Sequence, residues 1–174
     1  MDLGLAGTRA LVTGASRGLG RACAEALVEE GARVFVCSRS REDIERTAAE
    51  VGAAGWVAGD LAQAGDVSRA VAEAVRGLQG LDILVTNAGG PPTGRFEAAT
   101  EDDWATGYEL TLMSAVRLIR AALPELKRSG RGRIVNLTGY GVKEPSQRHR
   151  SRPHPDGQAS ADTCGASGHR RDLD

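Results

Sequence analysis

The sequence predicts an α/β fold, a three-layer, doubly wound parallel sheet. Three observations predict it. Strand-like apolar runs alternate in order with runs of helical periodicity. A glycine-rich turn, Thr13-Gly14-Ala15-Ser16-Arg17-Gly18-Leu19-Gly20, joins the first strand to the first helix. Aromatic residues make up only 3% of the chain while alanine, glycine and valine abound, as suits helices packed closely on a parallel sheet. At 174 residues the chain is long enough for one domain with a real hydrophobic core. Its formal net charge of -1 argues against nucleic acid as a partner.

The elements follow in order. A first strand is expected over 9–13 and a helix over 19–30, with Gly31 just beyond as its stop. Residues 33–37 give strand two, and 41–51 a charged surface helix with Ser40 as N-cap. A short third strand over 55–58 leads to Asp60. Val67, Ala70, Val71, Ala74, Val75 and Leu78 recur at helical spacing, so this helix lays an apolar stripe on the sheet before Gly80 closes it. Residues 81–85 read as a strand buried on both faces. The loop over 89–94 is too rich in glycine and proline for regular structure. Thr100 and Asp103 resemble a capping box. It opens a long helix through Trp104, Leu110, Leu112, Val116, Ile119 and Leu123, with a bend or break expected near Pro124. Strand five is expected over 132–137. Right-handed crossovers would join these parallel strands.

The three cysteines, Cys23, Cys37 and Cys164, show no ligand spacing, and Cys23 and Cys37, in a predicted helix and strand, suit buried thiols in a reducing compartment. The N-terminus lacks a basic flank and an apolar signal core, and no run is long enough to span a bilayer. A soluble, cytoplasmic protein without a membrane partner is expected.

The glycine turn carries the functional reading. Gly14 lets the chain leave the strand sharply, where a Cβ would clash. Gly18 lets a diphosphate approach the backbone, and Gly20 lets the helix lie close on the sheet. The helix start adds unpaired N–H groups and a positive dipole end. A nucleotide belongs here. Strand two ends in Cys37-Ser38-Arg39, without the acid that would bind a ribose 2′-hydroxyl and repel a 2′-phosphate. Arg39 and Arg17 offer cations to that phosphate, which favours NADP(H) over NAD(H). The same missing acid weighs against a methyl-donor cofactor.

With Asp60-Leu61 after strand three and Asn87-Ala88-Gly89 after strand four, the chain resembles the short-chain dehydrogenase/reductases, particularly the 3-oxoacyl-[acyl-carrier-protein] reductase-like members. The resemblance covers residues 5 to about 146 and implies a Rossmann fold, incomplete here at its C-terminal side. It implies that Thr13, Gly14, Ser16, Arg17, Gly18, Leu19, Gly20, Ser38 and Arg39 line the cofactor site. Asp60, with Leu61 beside it, would bond the adenine amino group, and Asn87, Ala88 and Gly89 would pass the ribose. Asp60 also fits a helix N-cap, and the two roles coexist. A small carbonyl or acyl-thioester substrate and a homo-oligomer are what the intact family implies.

The family's catalytic groups are a different matter. Hydride transfer to a carbonyl needs a proton donor for the developing alkoxide. The resemblance implies an asparagine at Thr111, a serine at Gly139, a tyrosine near Arg152 and a lysine near Asp156, and none is present. Thr138, Tyr140 and Lys143 form an alternative set, although Tyr140 and Lys143 are three residues apart, beside Gly141 and just ahead of Pro145, in poor helix context. A catalytically deficient chain is expected. Residues 1–146 read as the nucleotide-binding domain and 147–174 as a disordered tail, since Leu173 is the only large aliphatic residue there. Its mixture of Arg, Pro, Gly, Ser and Asp suits out-of-frame translation better than a functional tail. His149, His154, Cys164 and His169 match no compact metal-ligand pattern, so no metal is expected.

Overall fold

A computed structural model describes residues 3–90 and 98–138 of the chain. The expected alternation is there: β1 Arg9–Thr13, α1 Gly18–Glu29, β2 Arg33–Ser38, α2 Arg41–Val51, β3 Gly55–Ala58, α3 Ala64–Leu78, β4 Ile83–Thr86, α4 Glu101–Tyr108, α5 Ser114–Arg128 and β5 Arg133–Asn136. All strand pairs are parallel, in the order β3-β2-β1-β4-β5. The crossover from β3 back past β1 to β4 puts the C-terminal ends of β1 and β4 side by side, where ligands of open α/β sheets bind.

Alternating side chains feed two cores, one on each face of the sheet. On one face Leu11, Cys37, Val57 and Leu84 meet α3 and α5 through residues such as Val67, Ala74, Leu118 and Ala122. On the other, Ala10, Val12, Val34, Val36 and Val85 meet Ala24 of α1 and Ile44 and Ala48 of α2. Phe35 fills the first core against Gly55 and Gly77, where a Cβ would stand 2.5 Å and 3.0 Å from its ring. Small residues opposite one large ring keep α3 close to the sheet.

Two local readings hold at atomic detail. Ser40 Oγ accepts the Asp43 N–H at 3.2 Å. Thr100 and Asp103 bond each other's backbone N–H groups in a full capping box.

Four others are corrected. The helix after β3 is closed by Gln79, which adopts the left-handed conformation with φ 63°, ahead of Gly80. β4 starts at Ile83, because Asp82 before it is a buried carboxylate bound to Arg9. No break occurs at Pro124, since α5 runs through it. Pro124 and Arg120, whose carbonyl loses its partner, are both on the exposed side, where the carbonyl stays open to solvent. The interruption is a π-helical turn, Glu109–Met113, between α4 and α5. There Thr111 Oγ1 donates to the Gly107 carbonyl at 2.6 Å and Ser114 Oγ to the Leu110 carbonyl at 2.5 Å. Such back-bonding hydroxyls perturb the helical ladder. On the long helix, Leu110, Ser114, Leu118, Ala122 and Leu126 face inward. Leu112 and Leu123 of the expected stripe are exposed, at 51% and 37%.

Candidate functional site

Thr13 ends β1 with a side chain fully out of solvent. Its hydroxyl donates to the Asn87 carbonyl at 2.8 Å and accepts the Asn87 N–H at 3.0 Å. The Asn87 amide then donates to the Gly14 carbonyl at 3.0 Å. The ends of β1 and β4 are thus joined by three uncharged hydrogen bonds.

This joint explains two glycines. Gly14 has φ 58°, and a Cβ on it would lie 2.7 Å from Asn87 Nδ2 and 2.8 Å from Asn87 O. A Cβ on Gly20 would collide with the Gly14 carbonyl oxygen and approach Asn87 Nδ2 to 2.7 Å. Gly20 therefore seats α1 on the turn and on Asn87, a tighter contact than the helix-to-sheet packing expected of it. The turn is pinned further by the Ala15 N–H donating to the Cys37 carbonyl at 3.0 Å. Thr47 Oγ1 of α2 donates to the Ser16 carbonyl at 3.2 Å.

The start of α1 suits an anion. Arg17 is its N-cap in extended conformation, without a side-chain cap, and the first turn contains no acid. Its leading N–H groups and positive dipole end are thus unmatched by any side chain of the cap. Arg17 and Arg39 are exposed. Arg39 Nη2 lies 3.6 Å from the Cβ position of Gly89, so this guanidinium bridges from the end of β2 to the loop after β4. Neither arginine has an ion-pair partner among the described residues. Tight packing at Gly14 and Gly20, open space over Gly18 at φ 58°, an uncapped helix start and two cations without ion-pair partners fit a nucleotide that carries several phosphates.

The other expected residues divide into lining and support. Leu19 and Gly89 are exposed at the site. Ser38 is buried, its hydroxyl donating to the Ser40 carbonyl at 3.4 Å. Leu61 packs in the first core and Ala88 against it, leaving backbone as their contribution at the surface. Asp60 is half-buried and accepts the Ala62 N–H at 3.0 Å. It is not the helix cap, since Gln63 holds that position. Sequence reasoning missed Thr47 and also Asp66, whose carboxylate accepts the Asp60 N–H at 2.8 Å. The available signal for Asp66 was an acid in the first turn of a helix close behind the Asp60 loop.

Thr111 lies exposed in the π-helical turn, and Thr138 is exposed just past β5. Gly139, Tyr140, Lys143, Arg152, Asp156 and the tail residues His149, His154, Cys164 and His169 lie outside the described residues, as does the loop over 91–97.

The short chain dehydrogenase family model matches residues 8–149. The chain belongs to the short-chain dehydrogenases. Among the family's curated members, an uncharacterized oxidoreductase, YvrD, of Bacillus subtilis is 37% identical over 146 residues, covering 82% of this chain and 56% of that protein. A granaticin polyketide synthase putative ketoacyl reductase 2 of Streptomyces violaceoruber is 40% identical over 141 residues, covering 79% of this chain and 57% of the relative. Among solved short-chain dehydrogenase structures, L-sorbose reductase from Gluconobacter frateurii, complexed with NADPH and L-sorbose, matches with a TM-score of 0.80 and 32% identity, over 84% of this chain and 58% of that one. The chain therefore spans little more than half the length of these relatives. Among its described residues no helix is long and apolar enough to cross a membrane.

Proposed function

We propose that this short-chain dehydrogenase binds a nicotinamide dinucleotide at the C-terminal edge of its sheet, and NADP(H) in preference to NAD(H). The observation that carries the preference is the pair of exposed arginines beside the glycine turn, Arg17 and Arg39, in a site whose second strand ends without an acid. An NADPH-complexed structural neighbour supports the same choice. Thr13, Gly14, Ser16, Gly18, Leu19 and Gly20 would hold the diphosphate, Ser38 and Arg39 the 2′-phosphate, Asp60 and Leu61 the base, and Asn87, Ala88 and Gly89 the ribose. The bound cofactor supplies hydride exchange with a carbonyl or hydroxyl carbon, and the substrate class would be a small carbonyl or a 3-oxoacyl thioester. Residues 1–146 would form this binding unit, in the cytoplasm.

Turnover is proposed to lag behind binding. Where the family resemblance implies an asparagine, Thr111 donates its hydroxyl proton to the Gly107 carbonyl. The tyrosine that would protonate an alkoxide, and the lysine that would lower its pKa, have no counterpart at the corresponding positions of the sequence. Fluorescence titration of the full chain tests the cofactor reading: saturable NADPH binding, with Arg39→Ala weakening NADPH about tenfold while NADH changes by less than about twofold. Equal losses for both cofactors would remove the 2′-phosphate assignment. NADPH oxidation above background with small ketones or a 3-oxoacyl thioester would overturn the deficiency and leave the cofactor reading standing.

A further inference from the structure

The loop that carries Asp60 is held from α3 in a way that nucleotide binding alone does not require. Asp66 Oδ2 accepts the Asp60 N–H at 2.8 Å, and Asp66 Oδ1 accepts from Arg69 Nη2 at 2.8 Å. The same Arg69 nitrogen donates to the Ala58 carbonyl at 2.8 Å, at the end of β3. Glu73 approaches Arg69 Nη1 to 3.6 Å, one turn further along the helix. Gly59 lies against both side chains, its Cβ position 3.4 Å from Asp66 Cβ and 3.5 Å from Arg69 Nη2. The Asp60 carbonyl accepts from the Gln63 N–H at 2.9 Å, and the Asp60 Oδ1 atom from Ala62 at 3.0 Å. Asp60 is therefore fixed at its nitrogen, its carbonyl and one carboxylate oxygen. The other oxygen, Oδ2, has no hydrogen bond among the described residues.

We propose that Asp66 and Arg69 are positioning residues that set the free carboxylate oxygen of Asp60 at the base end of the nucleotide site, and so determine base selectivity. The proposal rests on the reading that a dinucleotide binds at the glycine turn. Charge accounts for the division of labour. Asp66 is held ionised by the Arg69 guanidinium and the Asp60 N–H, which keep its carboxyl below the usual range. An ionised acceptor makes the stronger bond to the Asp60 amide. Arg69 fixes the distance between the end of β3 and α3, across which the loop must turn. An acid in a first helical turn also favours the helix dipole, but that role involves neither the Asp60 backbone nor the base.

Base discrimination separates the two roles. The affinities of the full chain for NADPH and for its hypoxanthine analogue, in which an oxo group replaces the 6-amino donor, are measured together with thermal melts. The wild type is expected to favour NADPH. Asp66→Ala should reduce that preference about fivefold, near the net worth of one hydrogen bond. Asp66→Asn, whose amide oxygen still accepts from Asp60, should restore most of it. Arg69→Gln should give an intermediate loss, and serves in place of Asp66→Ala if that variant does not fold. Reduced nicotinamide mononucleotide, which lacks the base, should bind all variants alike. A preference unchanged in Asp66→Ala or Arg69→Gln, whatever the shift in melting temperature, overturns the proposal. Wild-type binding of NADPH without any base preference overturns it while the dinucleotide reading survives. Failure of the wild type to bind either dinucleotide removes both.

Discussion

β1 and β4 are tied to each other at both ends, and the two ties use opposite chemistry. At the C-terminal end Thr13, Gly14 and Asn87 are joined by uncharged hydrogen bonds. At the N-terminal end Arg9 grips Asp82 with its backbone N–H, Nε and Nη2 at 2.9, 2.9 and 2.8 Å, and Arg131 reaches the same carboxylate at 3.4 Å. Asp82 is 1% exposed and its carboxyl is held far below the ordinary carboxylate range, first by the Arg9 bond. β5 is bonded to β4 at both ends as well, here without charge. Thr86 Oγ1 donates to Asn136 Oδ1 at 2.6 Å near the site, while the Arg133 N–H donates to the Asp82 carbonyl at the far end. An acid buried in the C-terminal joint would repel the phosphates expected there, whereas the far end tolerates a full ion pair. The cleft lined by Arg9, Val75, Arg76 and Glu125 lies at this far end, so being concave does not make it the candidate site.

The contrast predicts that damage at one end should leave the other's property intact. The largest effect is expected from Gly20→Ala, whose Cβ meets backbone that cannot yield. Stability should drop by about 3 kcal/mol or more by urea unfolding, and NADPH binding should vanish at any denaturant concentration. Asp82→Asn should cost about 2 to 3 kcal/mol, because Arg9 loses its partner but stays partly solvated. NADPH affinity of the folded variant should be unchanged. The pH dependence follows in sign from the depressed Asp82 value. Its contribution is complete above about pH 4, the unfolded value, and is lost as pH falls through the folded one. The acid limb of the stability curve should therefore flatten in Asp82→Asn. The smallest loss of stability, about 1 kcal/mol, is expected for Asn87→Ala, which removes the single bond to Gly14 and keeps both backbone bonds to Thr13. Unlike Asp82→Asn, it should weaken NADPH, as titration of the two variants side by side would show.

Much of the fold was legible because its signals are local. β1, α2 and β3 fall where periodicity puts them, and Ser40 and the Thr100–Asp103 box cap their helices as expected. The glycine turn was legible too, since three glycines at this spacing between strand and helix leave few alternatives. What the sequence hid are pairings between distant residues. Asp82 is hidden inside a run that reads as a buried strand until Arg9, 73 positions earlier, is placed beside it. Asp66 reads as an ordinary first-turn acid until the loop folds back to present the Asp60 N–H. The π-helical turn was missed because proline is a conspicuous breaker, whereas hydroxyls that bond backward leave only a faint trace.

Cys37 gives this architecture a clock. The thiol sits on β2 without exposed surface, and burial pushes its pKa up to about 12. Thiol reagents attack the thiolate, which at pH 8 amounts to roughly one part in ten thousand for such a group. Alkylation mapped to the Cys37 peptide therefore counts excursions in which the central strands part, rather than ripples at the surface. Its carbonyl is also the acceptor for Ala15 in the glycine turn. A nucleotide that seals the turn would slow that count in proportion to its occupancy, so the rate of one modification reports affinity without any turnover.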